Sequence, residues 1–315
     1  MTRNREGCAF QTSIGGQALI EGIMMRGPKK QSIVVRTADG IVTKTTELHS
    51  IKEKCPVCGW PIIRGVVNFI NSMASGVRAL TYSASFFPEN EEEKPSKLDL
   101  WIETKIGGEK AEKLITAIAV TLGILLSVLL FFMLPTLLTG FLSNLIQSRG
   151  LLNLIEGGFR IALFIGYLTL VSRIKDIKRI WQYHGAEHKT IFCYENRLPL
   201  TVENARAQSR LHPRCGTSFL FLVMIISILV FSVISWSNVF VRLALRIVLL
   251  PVVVGISYEL IKLAGRYDNV FTRIISAPGK ALQHLTTAEP DDSMLEVAIA
   301  ALTEVIPAEA GSDTW

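Results

Sequence analysis

Residues 114–142 read LITAIAVTLGILLSVLLFFMLPTLLTGFL, an almost unbroken run of apolar side chains. Three further runs of the same kind follow, at 151–172, 217–236 and 239–264. A bilayer core about 30 Å thick is crossed by roughly 20 apolar residues of helix, and each run is long enough. Buried helices of soluble proteins rarely reach this length. The sequence therefore predicts an α-helical integral membrane protein with about four transmembrane helices.

Charge distribution gives an orientation for these predicted helices. The chain carries a net charge of +6, with basic residues concentrated at 173–214 and again at 262–280. The short links at 143–150 and 236–238 contain one basic residue, Arg149. Because cytosolic segments are enriched in lysine and arginine, both termini and the central segment are expected in the cytosol. The membrane topology explains the excess of basic residues. Anionic lipid headgroups are the expected partner, and nucleic-acid binding is not expected.

Five segments follow from this pattern. They are a cytosolic N-terminal region (1–113), a first transmembrane helix pair (114–172), a cytosolic metal-site loop (173–216), a second transmembrane pair (217–264), and a cytosolic C-terminal helix and tail (265–315). The two cytosolic segments before residue 217 are expected to form a small α+β portion.

Local signals subdivide the N-terminal region. Residues 12–50 are expected to form a small β-rich unit, the N-terminal unit. Short β-branched stretches at 33–35 and 41–43 flank Asp39-Gly40, which predicts a β-hairpin. The glycines of 15–16 and 22–28 are expected to interrupt regular structure. Residues 62–87 predict an amphipathic helix, interfacial or in the core, followed by a charged linker to residue 113.

A histidine motif in the central segment indicates a metal site. His184-Gly-Ala-Glu187-His188 places two histidines four residues apart, so on a helix both imidazoles project from one face. This spacing allows both rings to bind one ion. The H-x-x-E-H order matches the reversed zincin signature, in which the glutamate is the general base. Glu187 is accordingly the candidate catalytic residue.

A second motif in the same segment supplies more ligands. His212-Pro-Arg214-Cys215 contributes an H-x-x-C pair, and the expected cofactor is a divalent transition metal, with zinc favoured. Four ligands would close the site and favour a structural role, whereas three leave a position for water and favour catalysis. The glutamate beside the ligands favours catalysis. Arg214 is either a clamp for an anionic substrate or a topogenic and lipid-facing charge.

Other polar residues carry weaker signals. Glu259, near the cytosolic end of the fourth run, is a candidate further ligand or a partner of a ligand histidine. Cys55 and Cys58 form a separate C-x-x-C pair. This pair could share a metal with Cys8, bind one across a dimer, act in redox chemistry, or have no function. Cys193 is expected to be a packed thiol.

A family resemblance rests on five sequence blocks that occur in the same order as in that family. They are residues 15–28, 183–190, 212–219, 255–260 and 285–292. On these blocks the chain resembles the YqhQ-like bacterial membrane proteins, described as predicted metal-dependent enzymes. The resemblance implies a multi-pass protein of the bacterial cytoplasmic membrane. It also implies that Gln17, Glu21 and Arg26 belong to the site, where they contact the metal ligands or the substrate, with the N-terminal unit packed over the central segment. Cys55 and Cys58 depart from the family pattern.

The expected function is therefore that of a zinc-type membrane enzyme, hydrolytic, with a cytosol-facing His/Cys site. The alternative is a non-catalytic scaffold or transport accessory protein with a structural metal. A transporter is disfavoured because the sequence has neither paired broken helices nor an internal repeat. Substrate and assembly into a homo-oligomer are left open by the sequence.

Overall fold

A computed structural model describes residues 10–48, 55–87, 108–142, 144–233, 239–267, 269–309 and 311–314. The strands are β1 (Gly15–Leu19), β2 (Gly22–Arg26), β3 (Lys30–Thr37) and β4 (Gly40–Glu47). The helices are α1 (Ile63–Ala84), α2 (Gly108–Val128), α3 (Leu134–Leu142), α4 (Arg149–Val171), α5 (Lys175–Glu195), α6 (Val202–Arg206), α7 (Gly216–Val233), α8 (Val239–Arg266), α9 (Val270–Thr286) and α10 (Asp292–Thr303). The chain divides into two bodies, residues 1–86 with 168–315, and residues 87–167.

The sheet is an antiparallel meander in the order β1-β2-β3-β4. Thr37 pairs with Gly40 across the β3–β4 hairpin, so Ala38 and Asp39 form a two-residue turn. Gly40 has φ of +131°, a conformation that glycine adopts without steric cost. The hairpin predicted around Asp39-Gly40 is confirmed.

The expectation that the N-terminal glycines interrupt regular structure was right for Gly27, which lies between β2 and β3, and wrong for the glycines before it. Gly15 and Gly16 begin β1, and Gly22 begins β2. A Cβ at Gly22 would lie 2.5 Å from the carbonyl oxygen of Val34 on β3. Glycine is needed here because neighbouring backbones approach closely, which is compatible with a strand.

One face of the sheet packs on α5 and α10 to form the main core. Its largest fully buried members are Ile23, Met25, Tyr183, Ile191, Met294, Leu295 and Leu302. The helix α10 confirms the prediction of a helix in this region, and Asp291 caps it by accepting a hydrogen bond from the backbone N–H of Met294 at 3.0 Å. The acidic residues before α10 bind basic side chains of the central segment, as Glu289 does with Lys189 at 3.0 Å.

The central segment is largely helical, although we described it as a loop. Helix α5 spans 21 residues and contains the whole H-x-x-E-H motif. The short helix α6 follows and packs against α5 and α10. A helix is a more rigid support than a loop, so side chains on one face of α5 are held in fixed relative positions.

Three helices are long and apolar enough to cross a membrane, namely Ala117–Leu142, Gly150–Val171 and Ala244–Arg266. They coincide with the first, second and fourth predicted runs. The third run forms α7, whose apolar part, Gly216–Ser232, is shorter, and residues 234–238 lie outside the described residues. The first of these helices contains a π-helical turn, Leu129–Met133, directly before Pro135.

The body of residues 87–167 contains an internal ion pair. Arg160 donates from Nη2 to Oε1 of Glu156 at 3.1 Å and from Nε to the carbonyl of Phe131 at 3.1 Å. The Thr136 hydroxyl donates a second hydrogen bond to the same carboxylate at 3.0 Å. The linker predicted before the first apolar run lies partly outside the described residues, and its end, from Gly108, is helical.

The predicted amphipathic helix of residues 62–87 is confirmed as α1. Its exposed side carries a stripe of large apolar residues, Ile70, Met73, Val77 and Leu80. Its other side packs on α8, where Asn68 donates a hydrogen bond to the Tyr258 hydroxyl at 2.8 Å.

Candidate metal centre

Helix α5 and the segment before α10 pack closely because residue 185 is glycine. A Cβ at Gly185 would collide with the carbonyl oxygen of Ala288. This close approach brings the end of α9 against the histidine face of α5. His184, Glu187 and His188 are all buried there.

Hydrogen bonds fix the tautomers of the two motif histidines. Nδ1 of His184 lies 2.8 Å from the carbonyl of Thr286, and Nδ1 of His188 lies 2.6 Å from the carbonyl of Arg210. A carbonyl oxygen can only accept, so each Nδ1 carries the proton. Each ring is therefore left with Nε2 as the atom that could bind a metal ion. Metal-binding histidines commonly have this arrangement, in which a backbone carbonyl orients the ring.

Cys215 completes a group of three candidate ligands. Its Sγ lies 3.2 Å from Nε2 of His184. Nitrogen or sulfur atoms of His184, His188 and Cys215 all lie within 4.8 Å of one another, and all three residues are buried. Two imidazoles and a thiolate suit zinc and related transition metals. The donor set therefore fits such an ion.

Glu187 lies beside this group with one oxygen anchored. Oε1 accepts a hydrogen bond from the backbone N–H of Gly16 at 2.9 Å. Oε2 lies 3.9 Å from Nε2 of His184 and 3.7 Å from Nε2 of His188. Burial raises the pKa of Glu187, and this outweighs the opposing effects of His184 and the Gly16 N–H. The free oxygen is thus placed to exchange a proton at the same point where the ligand atoms converge.

His212 stands next to the three ligands but is oriented differently. Its Nδ1 accepts from the backbone N–H of Arg214 at 3.3 Å, and its Nε2 lies 3.5 Å from Nη2 of Arg214 and 3.6 Å from a carboxylate oxygen of Glu195. Burial, and next the charge of Arg214, hold the pKa of His212 well below its usual range. Among the described residues the ligand group is formed by His184, His188 and Cys215 without His212.

The charge of Arg214 faces a carboxylate. It is ion-paired with Glu195, and both side chains are buried. Glu195 also accepts from the backbone N–H of Thr12 at 2.8 Å. Arg214 is therefore a structural ion-pair partner that ties the H-x-x-C segment to the end of α5.

Several other predicted site residues lie elsewhere. Glu259 forms an ion pair with Arg64, which joins α8 to α1. Glu21 pairs with Arg179 and accepts from the Tyr183 hydroxyl at 3.1 Å. Neither carboxylate lines the cavity described below.

The remaining cysteines are also outside the ligand group. Cys55 and Cys58 lie at the turn Pro56–Gly59 with their Sγ atoms 2.7 Å apart. Cys8 lies outside the described residues, so a metal shared with that pair stays a prediction. Cys193 is buried and its thiol donates to the carbonyl of Pro199 at 3.4 Å, which confirms a packed thiol.

A cavity of about 350 Å³ opens onto the three ligands and Glu187. Residues of β1, β2, α1, α5 and the H-x-x-C segment line it: Ser13, Ile14, Gly15, Gly16, Gln17, Met24, Arg26, Gly27, Pro28, Ser72, His184, Glu187, His188, Ile191, His212, Arg214, Cys215 and Gly216. The N-terminal unit does pack against the central segment, as the resemblance implied. Of its three implied site residues, Gln17 and Arg26 line the cavity.

Sequence reasoning missed three residues that hold the site together. Gly16 positions Glu187, and Glu195 faces Arg214. Gln283 of α9 accepts from the His212 N–H and donates to its carbonyl, both at 2.7 Å. All three act over long sequence separations and fall in no recognisable ligand spacing, although Gly16 does belong to a block that carried the resemblance.

Comparisons with known proteins agree with this resemblance. Residues 60–308 match the family described as "Protein of unknown function (DUF1385)". The chain is 34% identical over 311 residues to "Uncharacterized protein YqhQ" of Bacillus subtilis (strain 168), covering 95% of this chain and 94% of the relative. No solved structure matches the chain. The chain therefore belongs to the YqhQ-like, DUF1385 family.

Proposed function

We propose that this protein is a membrane-embedded, metal-dependent hydrolase with a zinc-type site that faces the cytosol. His184, His188 and Cys215 are the ligands, and Glu187 is the general base. The observation that carries this proposal is the convergence of two histidine Nε2 atoms, one thiol and one carboxylate oxygen among residues that line a cavity.

The number of ligands supports catalysis over a purely structural site. Structural zinc is almost always held by four protein groups, whereas catalytic zinc keeps one position for water or substrate. His212 is turned towards Glu195 and Arg214, which leaves three ligands. The cavity gives a small molecule access to the fourth position. A divalent metal held here supplies Lewis-acid activation of water and of a substrate oxygen.

Glu187 performs the proton transfers in this proposal. Its Oε1 is held by the Gly16 N–H, so Oε2 takes a proton from the attacking water and delivers it to the leaving group. Burial raises the pKa of this carboxyl, and a higher pKa makes the carboxylate a stronger base. A structural metal site requires no such base.

Membrane insertion is supported by the three long apolar helices. Basic residues are concentrated at 173–214, the segment that contains the site, and again at 262–280. This distribution supports a cytosolic orientation for the site and both termini. The exposed apolar stripe of α1 is consistent with contact at the lipid interface. A substrate near the membrane surface follows from this placement.

The test combines metal content with hydrolytic activity. Detergent-purified wild type is assayed with a panel of chromogenic ester, phosphoester and peptide substrates, beside Glu187→Gln and a chelator-treated sample. We expect Glu187→Gln to retain its metal and lose at least 100-fold in rate, a typical general-base contribution. Equal activity of this variant and wild type on every hydrolysed substrate would reject the base assignment. Glu296→Gln, on the exposed surface of α10, is the matched control.

A further inference from the structure

Strand alternation places Arg26 in the cavity beside the candidate metal ligands. Successive residues of β2 face opposite sides of the sheet. Ile23 and Met25 join the core against α5 and α10, whereas Met24 and Arg26 line the cavity. The residue paired with Arg26 across the strands is Gly15, and a Cβ there would meet no atom within 4 Å. Open space therefore lies next to the strand position of Arg26.

The guanidinium of Arg26 has no partner within the part of the chain that the structure describes. Its pKa is lowered by burial alone, with no contribution from a neighbouring carboxylate. In the same body, six other arginines each contact a carboxylate: Arg36, Arg64, Arg179, Arg206, Arg210 and Arg214. A half-buried charge without a counter-ion destabilises a fold, and such a group is commonly retained for function.

We propose that Arg26 is the anion-binding residue of this cavity and that the substrate carries a phosphate or carboxylate group. The planar guanidinium donates two parallel hydrogen bonds to such a group, which orients as well as binds it. This inference rests on the proposed function, because it names the substrate class of the same site. Arg26 thereby takes the role of anion binding that the sequence suggested for Arg214, since the Arg214 charge already faces Glu195.

Arg26 and the candidate ligands line one cavity. In this proposal the anionic group of the substrate binds Arg26 while the scissile bond lies at Glu187. The side chain of Gln17 and the hydroxyl of Ser72 line the same space and can donate further hydrogen bonds. A neutral apolar substrate would leave the Arg26 charge uncompensated.

The test measures anion binding by calorimetry on the full chain in detergent. Inorganic phosphate and acetate are titrated separately into protein loaded with one equivalent of zinc, and into chelator-treated protein. We compare wild type, Arg26→Gln, Arg26→Lys and the control Arg36→Gln, an arginine on β3 that is paired with Glu296. The preferred anion identifies the substrate group as phosphate or carboxylate.

We expect Arg26→Gln to weaken binding of the preferred anion by about tenfold or more, and Arg36→Gln to change it less than about twofold. Arg26→Lys should lie between these values. Because Arg26 bonds to no described group, we expect Arg26→Gln to melt at or above the wild-type temperature, which separates lost binding from misfolding.

The chelator arm separates this inference from the proposed function. Arg26-dependent anion binding that persists in chelator-treated protein supports the anion site even if the metal proposal fails. Binding that needs zinc and is equal in wild type and Arg26→Gln would overturn the Arg26 assignment while the metal proposal stands. Wild type that binds neither anion also overturns it.

Discussion

The backbone N–H of Gly16 donates a 2.9 Å hydrogen bond to Oε1 of Glu187, across a separation of 171 residues. This bond connects the first strand to the helix that carries both candidate histidine ligands. It holds one carboxylate oxygen and leaves the other beside the Nε2 atoms. Formation of the site therefore depends on correct packing of the N-terminal sheet.

A methyl group at position 16 should disturb the site. A Cβ on Gly16 would lie 2.9 Å from Cγ of Glu187 and 2.8 Å from the carbonyl of Met24. We expect Gly16→Ala to destabilise the protein by about 1–3 kcal/mol, as overpacking of a core does. Differential scanning fluorimetry measures the change. Gly15→Ala is the control, because its Cβ meets nothing within 4 Å, and an equal loss in both variants would contradict the close approach.

Removal of the Glu195 charge should be more damaging than removal of an exposed charge. Glu195 and Arg214 are both buried, so Glu195→Gln removes the carboxylate that faces a buried guanidinium. We expect a loss of about 3–5 kcal/mol in the free energy of unfolding, obtained from denaturant titration. Glu296→Gln breaks the surface pair with Arg36 and should cost no more than about 1 kcal/mol. Comparable losses in the two variants would show that the Glu195 pair is not buried in solution.

Cobalt substitution tests whether Cys215 is a ligand. With Co²⁺ in the site, a thiolate ligand gives an intense sulfur-to-metal charge-transfer band in the near ultraviolet. We expect this band in wild type and in Cys193→Ser, because the Cys193 thiol instead donates to Pro199. The band should disappear in Cys215→Ser. A band that survives this substitution shows that sulfur ligation comes from another cysteine.

His212 distinguishes the three-ligand site from the four-ligand site. Its Nδ1 accepts from the Arg214 N–H, and its ring does not belong to the ligand group among the described residues. We expect His212→Asn to keep a metal content within about 20% of wild type, because three zinc ligands suffice for a catalytic site. Loss of metal equal to that in His184→Ala would instead identify His212 as a fourth ligand and favour a structural role.

Much of the helical structure was predictable because its signals are local. The apolar runs, the amphipathic stretch that forms α1 and the capped helix α10 are each contained in one continuous segment. The i, i+4 spacing of His184 and His188 likewise determines their common face once α5 is helical. Asp39-Gly40 specified its own hairpin for the same reason.

The partners that arrange the site were less accessible to sequence reasoning. The positions of β1 and β2 within the predicted β-rich unit were missed because glycines that normally interrupt strands are required here by close backbone contacts. Arg214 was predicted to bind an anionic substrate, but its charge is paired with Glu195, which belongs to no motif. The ion pair of Glu259 with Arg64 likewise joins α8 to α1, far apart in the chain. Such pairings arise from tertiary packing, which spacing rules do not encode.

The most direct test of the central claim is metal content, measured by inductively coupled plasma mass spectrometry on detergent-purified protein. Wild type is compared with His184→Ala/His188→Ala and with His284→Ala, an exposed histidine on α9. We predict about one zinc or other transition-metal ion per chain in wild type and in His284→Ala, and almost none in the double variant. Folded wild-type protein that binds no transition metal, even after incubation with zinc, would contradict the account.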